Sequence, residues 1–441
     1  MHRKSRCRSA TLGVLKRVGQ LVLLAGCCWV SGALAADSGP ATDSASATVI
    51  LLSWDGMRHD YPDRGSFPGL KRMQNEGVRA GRLTPVYPSS TFPAHVSLAT
   101  GTYPDRHGIV GNQFFDRTRT RNGGSYRMSS DADWIQAEPL WIAAERQGVL
   151  TATYFWVGSE TDWHGQRTKY RIAPFDGQRR ESAKVDQILA WLRLAESERP
   201  RLIMSYWAGA DSVGHRFGPD SDRIIEQIAS QDAQLQRLLT GIEAQWQTTT
   251  LIIVSDHGMA ETNDYIDLRA ALAEAGIAAR VSGGEAVAQI VIAEPDDDAQ
   301  GVARAGVVLA AIDGVEVHAG YALPDWMRLA HPTRTGDWVV TTEPPHTLSR
   351  PGGFEGALAA VMSAMGWSFG GHGYHPDRVD MGGIFFALGR GVRNDVNIPV
   401  VRQVDVAATV ALLLGIDPPR HSEGRPIAGI GDRPPAERTA E

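Results

Sequence analysis

Residues 251–258 read Leu-Ile-Ile-Val-Ser-Asp-His-Gly, so a short apolar run ends directly in an aspartate and a histidine. An apolar run of this length is typical of a strand that is buried on both faces of a parallel sheet. Runs of the same kind occupy residues 48–53, 202–206 and 383–388. We therefore predict a set of buried parallel strands.

Helical patterns alternate with these runs. Residues 181–196 and 222–246 place apolar side chains at helical intervals along one face. The alternation of strands and helices predicts an α/β fold in which helices cover both faces of a mainly parallel sheet. Residues 258–370 are more irregular and richer in proline and glycine, so we predict that they form an insertion or cap over part of the sheet.

Candidate metal ligands stand at the ends of the predicted strands. In open α/β sheets, ligands bind at the carboxyl ends of strands, where separate segments converge. Carboxylate oxygens and imidazole nitrogens are the ligands expected in a catalytic zinc site. Three of the runs are followed by such residues and the fourth is preceded by one; the set is Asp55, Asp211, His215, Asp256, His257 and His372.

Each of these residues also has a structural explanation when it is taken alone. Asp55 is suited to a turn or a helix cap, and His372 is suited to a loop. Asp211 and His215 are four residues apart, so they lie either on one side of a helical turn or across a glycine-containing loop. Taken together, the set favours a metal centre over a group of unrelated structural roles.

Thr91 lies in a proline-rich stretch and is the candidate nucleophile. The prolines within residues 85–93 exclude a continuous helix before Ala94, which places the Thr91 hydroxyl at a helix start with amides free to meet an anion. A threonine hydroxyl is a poor nucleophile at neutral pH unless a bound metal lowers its pKa. Taken alone, Thr91 is more simply explained as a helix N-cap.

The first 35 residues have the composition of an export signal. They carry six Lys and Arg and no acid, then an apolar run at residues 18–30, then Ala33-Leu34-Ala35, a small-x-small cleavage site. The run is short for a membrane span, so we predict a periplasmic or secreted protein. Alternatively, residues 24–27 form a lipobox, and the protein contacts the membrane through a lipidated Cys27.

Charge and cysteine content argue against a protein that wraps nucleic acid and against thiolate chemistry. Without the signal, 38 Lys and Arg stand against 50 Asp and Glu, a net charge of −12, which argues against a nucleic-acid-wrapping surface. All three cysteines lie within the signal, so cleavage after Ala35 leaves no thiolate for catalysis or metal binding.

We predict a flexible linker at 36–47, a catalytic domain at 48–428 and a flexible tail at 429–441.

Several motifs in this order are similar to those of one known family. They are Ser53-Trp54-Asp55-Gly56, Thr91-Phe92-Pro93 with His95, His107-Gly108-Ile109-Val110-Gly111-Asn112, Asp211 with Gly214-His215, Ser255-Asp256-His257-Gly258-Met259 and His372-Gly373-Tyr374. The chain thereby resembles the nucleotide pyrophosphatase/phosphodiesterase branch of the alkaline phosphatase superfamily. The motifs span nearly the whole predicted domain, so the resemblance implies an alkaline-phosphatase-like fold.

The resemblance also implies a two-zinc site and a phospho-threonine mechanism. It gives one zinc to Asp55, Thr91, Asp256 and His257, and the other to Asp211, His215 and His372. Asn112 becomes a donor to a phosphoryl oxygen. His375 competes with His372, but the family ligand is the histidine of the His-Gly-Tyr unit.

The resemblance further indicates a substrate pocket. Phe92 and Phe175 are expected to enclose a nucleobase, with Tyr206 at the pocket wall, although core packing would explain these rings equally well. Val157 replaces a proline of the family's pocket loop, and Ala94 replaces an asparagine. These two departures affect the substrate pocket rather than the metal site.

The sequence thus predicts a zinc-dependent hydrolase of phosphodiester or pyrophosphate bonds, with a small nucleotide substrate and no stable nucleic-acid complex. Lysophospholipid or choline-type phosphodiesterase and phosphomonoesterase activities are alternatives on the same fold. A sulfatase is disfavoured because no Cys/Ser-x-Pro-x-Arg motif surrounds Thr91. A binding protein is disfavoured because nucleophile and ligands occur together.

Overall fold

The computed structural model describes residues 47–119, 124–294, 297–349, 367–394 and 396–431. The predicted export signal, Cys27 and residues 36–46 of the predicted linker lie outside these ranges. Within them, no helix is both long and apolar enough to cross a membrane.

The strands of the described residues are labelled in chain order. They are β1 (Thr48–Trp54), β2 (Val78–Thr84), β3 (Gln113–Phe115), β4 (Ser125–Arg127), β5 (Thr151–Tyr154), β6 (Tyr170–Ile172), β7 (Leu202–Trp207), β8 (Thr249–Val254), β9 (Ala260–Thr262), β10 (Asp264–Tyr265), β11 (Ala279–Gly283), β12 (Val287–Ile292), β13 (Val315–Ala319), β14 (Trp338–Thr342), β15 (His346–Thr347), β16 (Phe369–Gly371), β17 (Phe385–Gly389) and β18 (Ile398–Arg402).

The α-helices of the same residues are labelled in the same way. They are α1 (Pro68–Glu76), α2 (Thr91–Thr100), α3 (Pro104–His107), α4 (Leu140–Arg146), α5 (Glu181–Leu192), α6 (Asp211–Phe217), α7 (Asp222–Gly241), α8 (Leu268–Glu274), α9 (Ala299–Ala310) and α10 (Val404–Leu414).

The central sheet has eight strands in the order β18-β2-β17-β8-β1-β7-β5-β6. β1 pairs in parallel with both β7 and β8, and β5 pairs in parallel with β6 and β7. The predicted mainly parallel α/β fold is therefore confirmed. The carboxyl ends of β1, β7 and β8 meet at one edge of the sheet, which places the residues that follow them close together.

One predicted strand direction is wrong. β17, which covers most of the run at 383–388, pairs antiparallel with β8 and β2. An apolar run has the same composition in either direction, so the path of the connecting chain decides its orientation. Because β17 runs the other way, its amino-terminal end lies at the edge where β8 ends, and the segment with His372 approaches that edge from outside the sheet.

Alternating side chains of β1 fill two cores. Val49 and Leu51 pack in one core with α2, α4 and α10, whereas Ile50 and Leu52 pack in the other with α1, α5 and α7. Both faces of β1 are thus buried, which explains why its sequence is continuously apolar.

A second, antiparallel sheet lies within the stretch predicted to be an insertion. Its four strands have the order β11-β12-β14-β13. Helices α8 and α9 pack on it through their own small core, which includes Leu272, Ile290, Leu309 and Val340. The described part of this stretch therefore has a small core of its own, while Val287, Met327 and Val339 pack in a core of the central sheet.

The folded part is slightly longer at both ends than the sequence predicts. Ala47, assigned to the linker, is buried, and its carbonyl accepts a hydrogen bond from Arg201 Nε at 2.8 Å. Ile430, assigned to the flexible tail, is also buried, and the amide of Gly431 donates to the carbonyl of Gly391 at 2.7 Å. Tertiary contacts of this kind have no local sequence signal.

Candidate metal centre and substrate cleft

The turns after β1 and β7 pack backbone against backbone at the edge of the central sheet. Gly56 has φ +63°, and a Cβ there would lie 2.7 Å from the Cα of Asp211. Gly209 has φ +57°, and a Cβ there would lie 1.8 Å from the carbonyl oxygen of Asp55. The amide of Ala210 donates to that same carbonyl at 2.8 Å. Both glycines are therefore required for the close approach that brings Asp55 and Asp211 together.

Asp55, Asp256 and His257 form a fully buried group, which we call the inner position. His257 Nε2 lies 3.2 Å from Asp256 Oδ2 and 3.6 Å from Asp55 Oδ1. The amide of Gly56 donates to Asp256 Oδ1 at 3.0 Å, so the turn after β1 also fixes the aspartate after β8. One ligand atom from each of the three residues lies within 4.8 Å of the other two, a spacing that suits a single metal ion.

Asp211, His215 and His372 form a second group, the outer position. Asp211 and His215 lie on successive turns of α6, with His215 Nε2 3.1 Å from Asp211 Oδ1. The helical alternative for this pair is thus the one observed. His372 Nε2 lies 3.8 Å from the same oxygen, and the His372 ring stacks on that of His257 at 3.7 Å between ring centroids. The two positions are therefore neighbours.

The hydrogen bonds of the three histidines fix which ring nitrogen faces each centre. The Nδ1 atoms lie against backbone carbonyls, which only accept: His257 against Gly258 O at 2.8 Å, His215 against Gly370 O at 3.0 Å, and His372 against Ser89 O at 3.2 Å. Each Nδ1 must therefore carry the proton in the neutral ring, which leaves an Nε2 lone pair directed at the carboxylates.

Three carboxylate oxygens that face these histidines lack a hydrogen-bond donor in the described part of the chain. Asp55 Oδ1, Asp256 Oδ2 and Asp211 Oδ1 are buried and lack any hydrogen-bond partner among the described residues. Buried oxygens and lone pairs that face each other are costly unless a cation lies between them. The residues of both positions therefore fit divalent metal ions with mixed oxygen and nitrogen ligands, as zinc prefers.

Burial and neighbouring charges shift the pKa values of three residues in the two positions. Burial raises the pKa of Asp55, and the nearby carboxylates of Asp256 and Asp211 raise it further. Burial lowers the pKa of His372 to about 4, so this imidazole is neutral at neutral pH, as a metal ligand must be. Burial also acts to lower the pKa of His215, but Glu285 and Asp211 outweigh it and raise that pKa well above its usual value.

Thr91 lies beside the inner position. Its Oγ1 is 3.2 Å from His257 Nε2. Thr91 is the first residue of α2, and Ser90 occupies the N-cap position, so the N-cap explanation of Thr91 is wrong. The helix begins three residues before Ala94, since Pro93 is accommodated in a first turn where no backbone donor is needed.

Asn112 is held next to the start of α2, beside Thr91, by a buried turn. The His107 ring accepts a hydrogen bond from the amide of Ile109 at 3.1 Å and contacts Ser97 Oγ at 2.9 Å. Burial lowers the pKa of His107 to about 3, which keeps the ring neutral. Asn112 Oδ1 accepts the amide of Phe92 at 2.9 Å, so the side-chain NH₂ is left to donate. The motif at 107–112 thus serves to place one amide donor.

A cleft of about 880 Å³ opens over both positions. Its lining includes Thr91, Asn112, Asp55, Asp211, His215 and His372, together with the aromatic residues Phe92, Trp134, Phe155, Phe175 and Tyr206. Phe175 is 51% exposed, which rules out core packing as the reason for its position. Phe92 is half-buried against the core, so its ring serves both the core and the cleft.

Tyr206 has a second contact that the sequence does not predict. Its hydroxyl donates to Asp55 Oδ2 at 2.7 Å, while its ring lies 5.8 Å from that of Phe175. Because the hydroxyl holds one carboxylate oxygen of Asp55, the other is turned toward His257. Tyr206 therefore orients a candidate metal ligand as well as forming part of the cleft wall.

The chain is similar to known proteins in sequence and in structure. Residues 49–352 match the family model described as type I phosphodiesterase/nucleotide pyrophosphatase, which is more than half of the chain. The chain belongs to this family. The resemblance inferred from the motifs is therefore confirmed.

Curated relatives of this family member come from several eukaryotes. An uncharacterised pyrophosphatase/phosphodiesterase of Schizosaccharomyces pombe is 39% identical over 229 residues, which cover 51% of this chain and 47% of the relative. Human ectonucleotide pyrophosphatase/phosphodiesterase family member 1 is 32% identical over 222 residues, covering 48% of this chain and 24% of the relative. The chain spans about half the length, or less, of these relatives.

Solved structures of the family share the fold. A murine ectonucleotide pyrophosphatase/phosphodiesterase 5, an inactive variant in complex with AMP, superposes with a TM-score of 0.75 at 24% identity. The human ectonucleotide pyrophosphatase/phosphodiesterase 5 superposes with a TM-score of 0.73 at 25% identity. In both cases 84% of this chain and 96% of the other chain are covered.

Two residues complete the description of this family member's site. His375, the rival of His372, packs against Trp326 in a tilted arrangement with 4.2 Å between ring centroids, and its Nδ1 accepts the amide of Asp377. It belongs to none of the metal-competent groups of the described residues. Glu285, in contrast, does belong to one, with His215 and His372. The sequence gives no sign of Glu285, because it lies in a loop far from every motif.

Proposed function

We propose that this protein is a zinc-dependent hydrolase of phosphodiester or pyrophosphate bonds in small nucleotides, which acts through a phospho-threonine intermediate. The observation that carries the proposal is the contact of 3.2 Å between Thr91 Oγ1 and His257 Nε2. His257 faces two buried carboxylate oxygens that have no donor among the described residues, so the hydroxyl stands at the edge of a cation site.

The residues of the cleft divide the chemistry among them. Thr91 Oγ1 releases its proton to solvent and forms a bond to phosphorus, while the bond from phosphorus to the leaving oxygen breaks and its electron pair stays on the leaving oxygen. Asn112 donates its side-chain N–H to a phosphoryl oxygen and stabilises the charge that develops there. When bound at the inner and outer positions, two zinc ions supply Lewis acidity to the nucleophile, the phosphoryl group and the leaving oxygen. Water then attacks phosphorus, the bond from phosphorus to Thr91 Oγ1 breaks, and a proton from the water restores the hydroxyl.

Aromatic side chains support a nucleotide as the substrate. Phe92, Phe175 and Tyr206 line the same cleft as the nucleophile. Aromatic faces stack on any base, so we expect broad use of nucleotides rather than strict base selectivity. A fold relative has been solved with AMP, which is consistent with this substrate class. Lysophospholipids and choline phosphodiesters are the competing substrates.

The intermediate provides the direct test. Wild-type protein is mixed with a nucleotide diester, quenched in acid within one turnover, digested and examined by mass spectrometry for a nucleotidyl group, which is phosphate that still carries its nucleoside, on the peptide that contains Thr91. We expect a nucleotidylated peptide from wild type and none from Thr91→Ala, with zinc content measured in both. Turnover by wild type without any nucleotidylated peptide would indicate direct attack by water.

The proposal includes export of the folded domain. The composition of residues 1–35 supports a cleaved signal, and the amino-terminal residue of the mature protein distinguishes the two processing routes. Ala36 at the amino terminus indicates cleavage after Ala35. A lipid-modified Cys27 at that place would instead indicate membrane anchoring.

A further inference from the structure

Glu285 reaches the outer position from the second sheet. It lies in the short connection between β11 and β12. Gly283 has φ +149°, and a Cβ there would lie 2.2 Å from the carbonyl oxygen of Val287, so this turn requires glycine. The amide of Gly284 donates to the same carbonyl at 2.9 Å. A tight turn therefore projects the Glu285 side chain from the rim of the sheet.

The carboxylate of Glu285 joins two segments that supply metal ligands. Oε1 lies 3.2 Å from His215 Nδ1, and Oε2 accepts the backbone amide of His372 at 2.7 Å. One side chain thus connects α6 to the segment that precedes β17. His215 and His372 are more than 150 residues apart in the chain, so this link fixes a long-range arrangement.

The backbone of Glu285 is itself anchored. Its carbonyl accepts the amide of Leu348 at 2.6 Å and the hydroxyl of Thr347 at 3.3 Å. The next residue, Ala286, accepts the amide of Thr342 at 3.0 Å. Because both ends of the connection are held, the carboxylate has little freedom to move away from the histidines.

Two roles are conceivable for this carboxylate, and the contacts favour one of them. As a direct ligand, Glu285 would have to share a metal ion with Nε2 of His215, but its Oε1 lies beside Nδ1, which also contacts the Gly370 carbonyl, and its Oε2 accepts the backbone amide of His372. Its partner on His215 is Nδ1, whereas Nε2 is the atom that faces Asp211. A carboxylate on the far nitrogen of a ligand histidine fixes the orientation of the ring and increases its basicity.

We propose that Glu285 is a positioning residue that directs His215 and His372 toward Asp211 and so sets the metal affinity of the outer position. The inference rests on the proposed function in one respect, because it takes Asp211, His215 and His372 to be metal ligands. The second sheet thereby becomes a part of the metal centre.

Zinc titration tests this role separately from catalysis. Wild type, Glu285→Gln and Glu285→Ala are loaded with zinc, and the zinc retained per chain is measured against a graded series of a competing chelator. We expect wild type to bind about two zinc ions per chain, and Glu285→Gln to weaken one of them about 10 to 100-fold, as loss of an outer-shell partner does. The other zinc ion should be retained as in wild type. Because glutamine has nearly the same shape, this variant is expected to fold even if the alanine variant does not.

A control variant separates charge loss from local structure. Glu316 lies on β13 of the same sheet, and its side chain is largely exposed, so Glu316→Gln should bind zinc like wild type. At saturating zinc, Glu285→Gln should recover most of its kcat, because mass action restores zinc occupancy of the outer position. Unchanged zinc affinity in Glu285→Gln, while wild type binds two ions, would overturn the role of Glu285 alone. A wild-type enzyme that is active without zinc would overturn the proposed function as well.

Discussion

The inner and outer positions are built from similar ligands but in different surroundings. The inner histidine His257 has no exposed side-chain surface, whereas His215 at the outer position is 31% exposed. Asp55 and Asp256 follow neighbouring strands of the central sheet, while the outer ligands come from a short helix and a segment next to the second sheet. The inner position is therefore part of the central sheet edge itself, whereas the outer position combines Asp211, which follows the central strand β7, with ligands from α6 and from a segment outside that sheet.

The largest effect should come from the nucleophile at the inner position. Thr91→Ala should lower kcat for an aryl nucleotide diester on the order of 10⁴-fold or more, because the atom that attacks phosphorus is lost. Thr91→Ser should keep part of the rate because the hydroxyl remains. Zinc content should equal that of wild type in both variants. A near wild-type rate for the alanine variant would show that the inner position acts on water.

Asn112 tests whether catalysis also depends on a donor outside both positions. Asn112→Ala should lower kcat roughly 10² to 10³-fold, as the loss of one oxyanion donor does. Asn112→Asp is a matched variant that keeps the oxygen accepting the Phe92 amide but replaces the donor with a charge. Steady-state rates at saturating zinc give both values. If Asn112→Asp were as active as wild type, the donor role would be wrong.

The preference for diesters over monoesters tests what the cleft adds to the two positions. Asn112 is neutral and the wall of the cleft is aromatic, so neither compensates the extra negative charge of a monoester. We expect kcat/KM for a nucleotide-like aryl diester to exceed that for the matching monoester by on the order of 10²-fold, or roughly 3 kcal/mol. Assays of both esters on one enzyme batch measure the ratio. Equal rates would point to a phosphatase.

Chelation compares the two positions directly. Because the outer ligands are more exposed and held by peripheral elements, a chelator should remove one zinc ion about 10-fold more readily than the other. His215→Ala should abolish binding of the weaker zinc ion and leave binding of the tighter zinc ion unchanged. Zinc retained after dialysis against graded chelator gives both affinities. Simultaneous loss of both ions would remove the distinction between inner and outer positions.

Phe175 should have the smallest effect, since it lies furthest toward solvent among the aromatic side chains of the cleft. Phe175→Ala should raise KM for a nucleotide about 5 to 10-fold with little change in kcat, because base stacking contributes roughly 1–3 kcal/mol. Phe217→Ala, an exposed phenylalanine that does not line the cleft, is the control. In Phe175→Ala, equal KM values for a nucleotide and for a small aryl diester would support base stacking. An unchanged KM for the nucleotide in Phe175→Ala would contradict it.

The sequence predicts the inner position better than the outer one, and the reason is physical. Asp55, Asp256 and His257 directly follow apolar runs, so strand signals locate them at one edge of a parallel sheet. The direction of β17 could not be predicted, because composition is the same in both directions. Glu285 could not be predicted either, since its role arises from a hairpin that meets α6 only in the folded chain. The hydroxyl contact of Tyr206 with Asp55 is likewise a tertiary feature.

The backbone contact between the turns at Gly56 and Gly209 has a consequence for redesign of the enzyme. Because main-chain atoms rather than side chains set the separation of Asp55 and Asp211, exchange of individual ligands should leave the span between the two positions unchanged. Donor atoms at the outer position can therefore be replaced to favour a harder metal such as manganese, which prefers oxygen ligands. The fold would then keep the distance between the two metal positions constant around a phosphoryl group, while the identity of the metal ions could be changed.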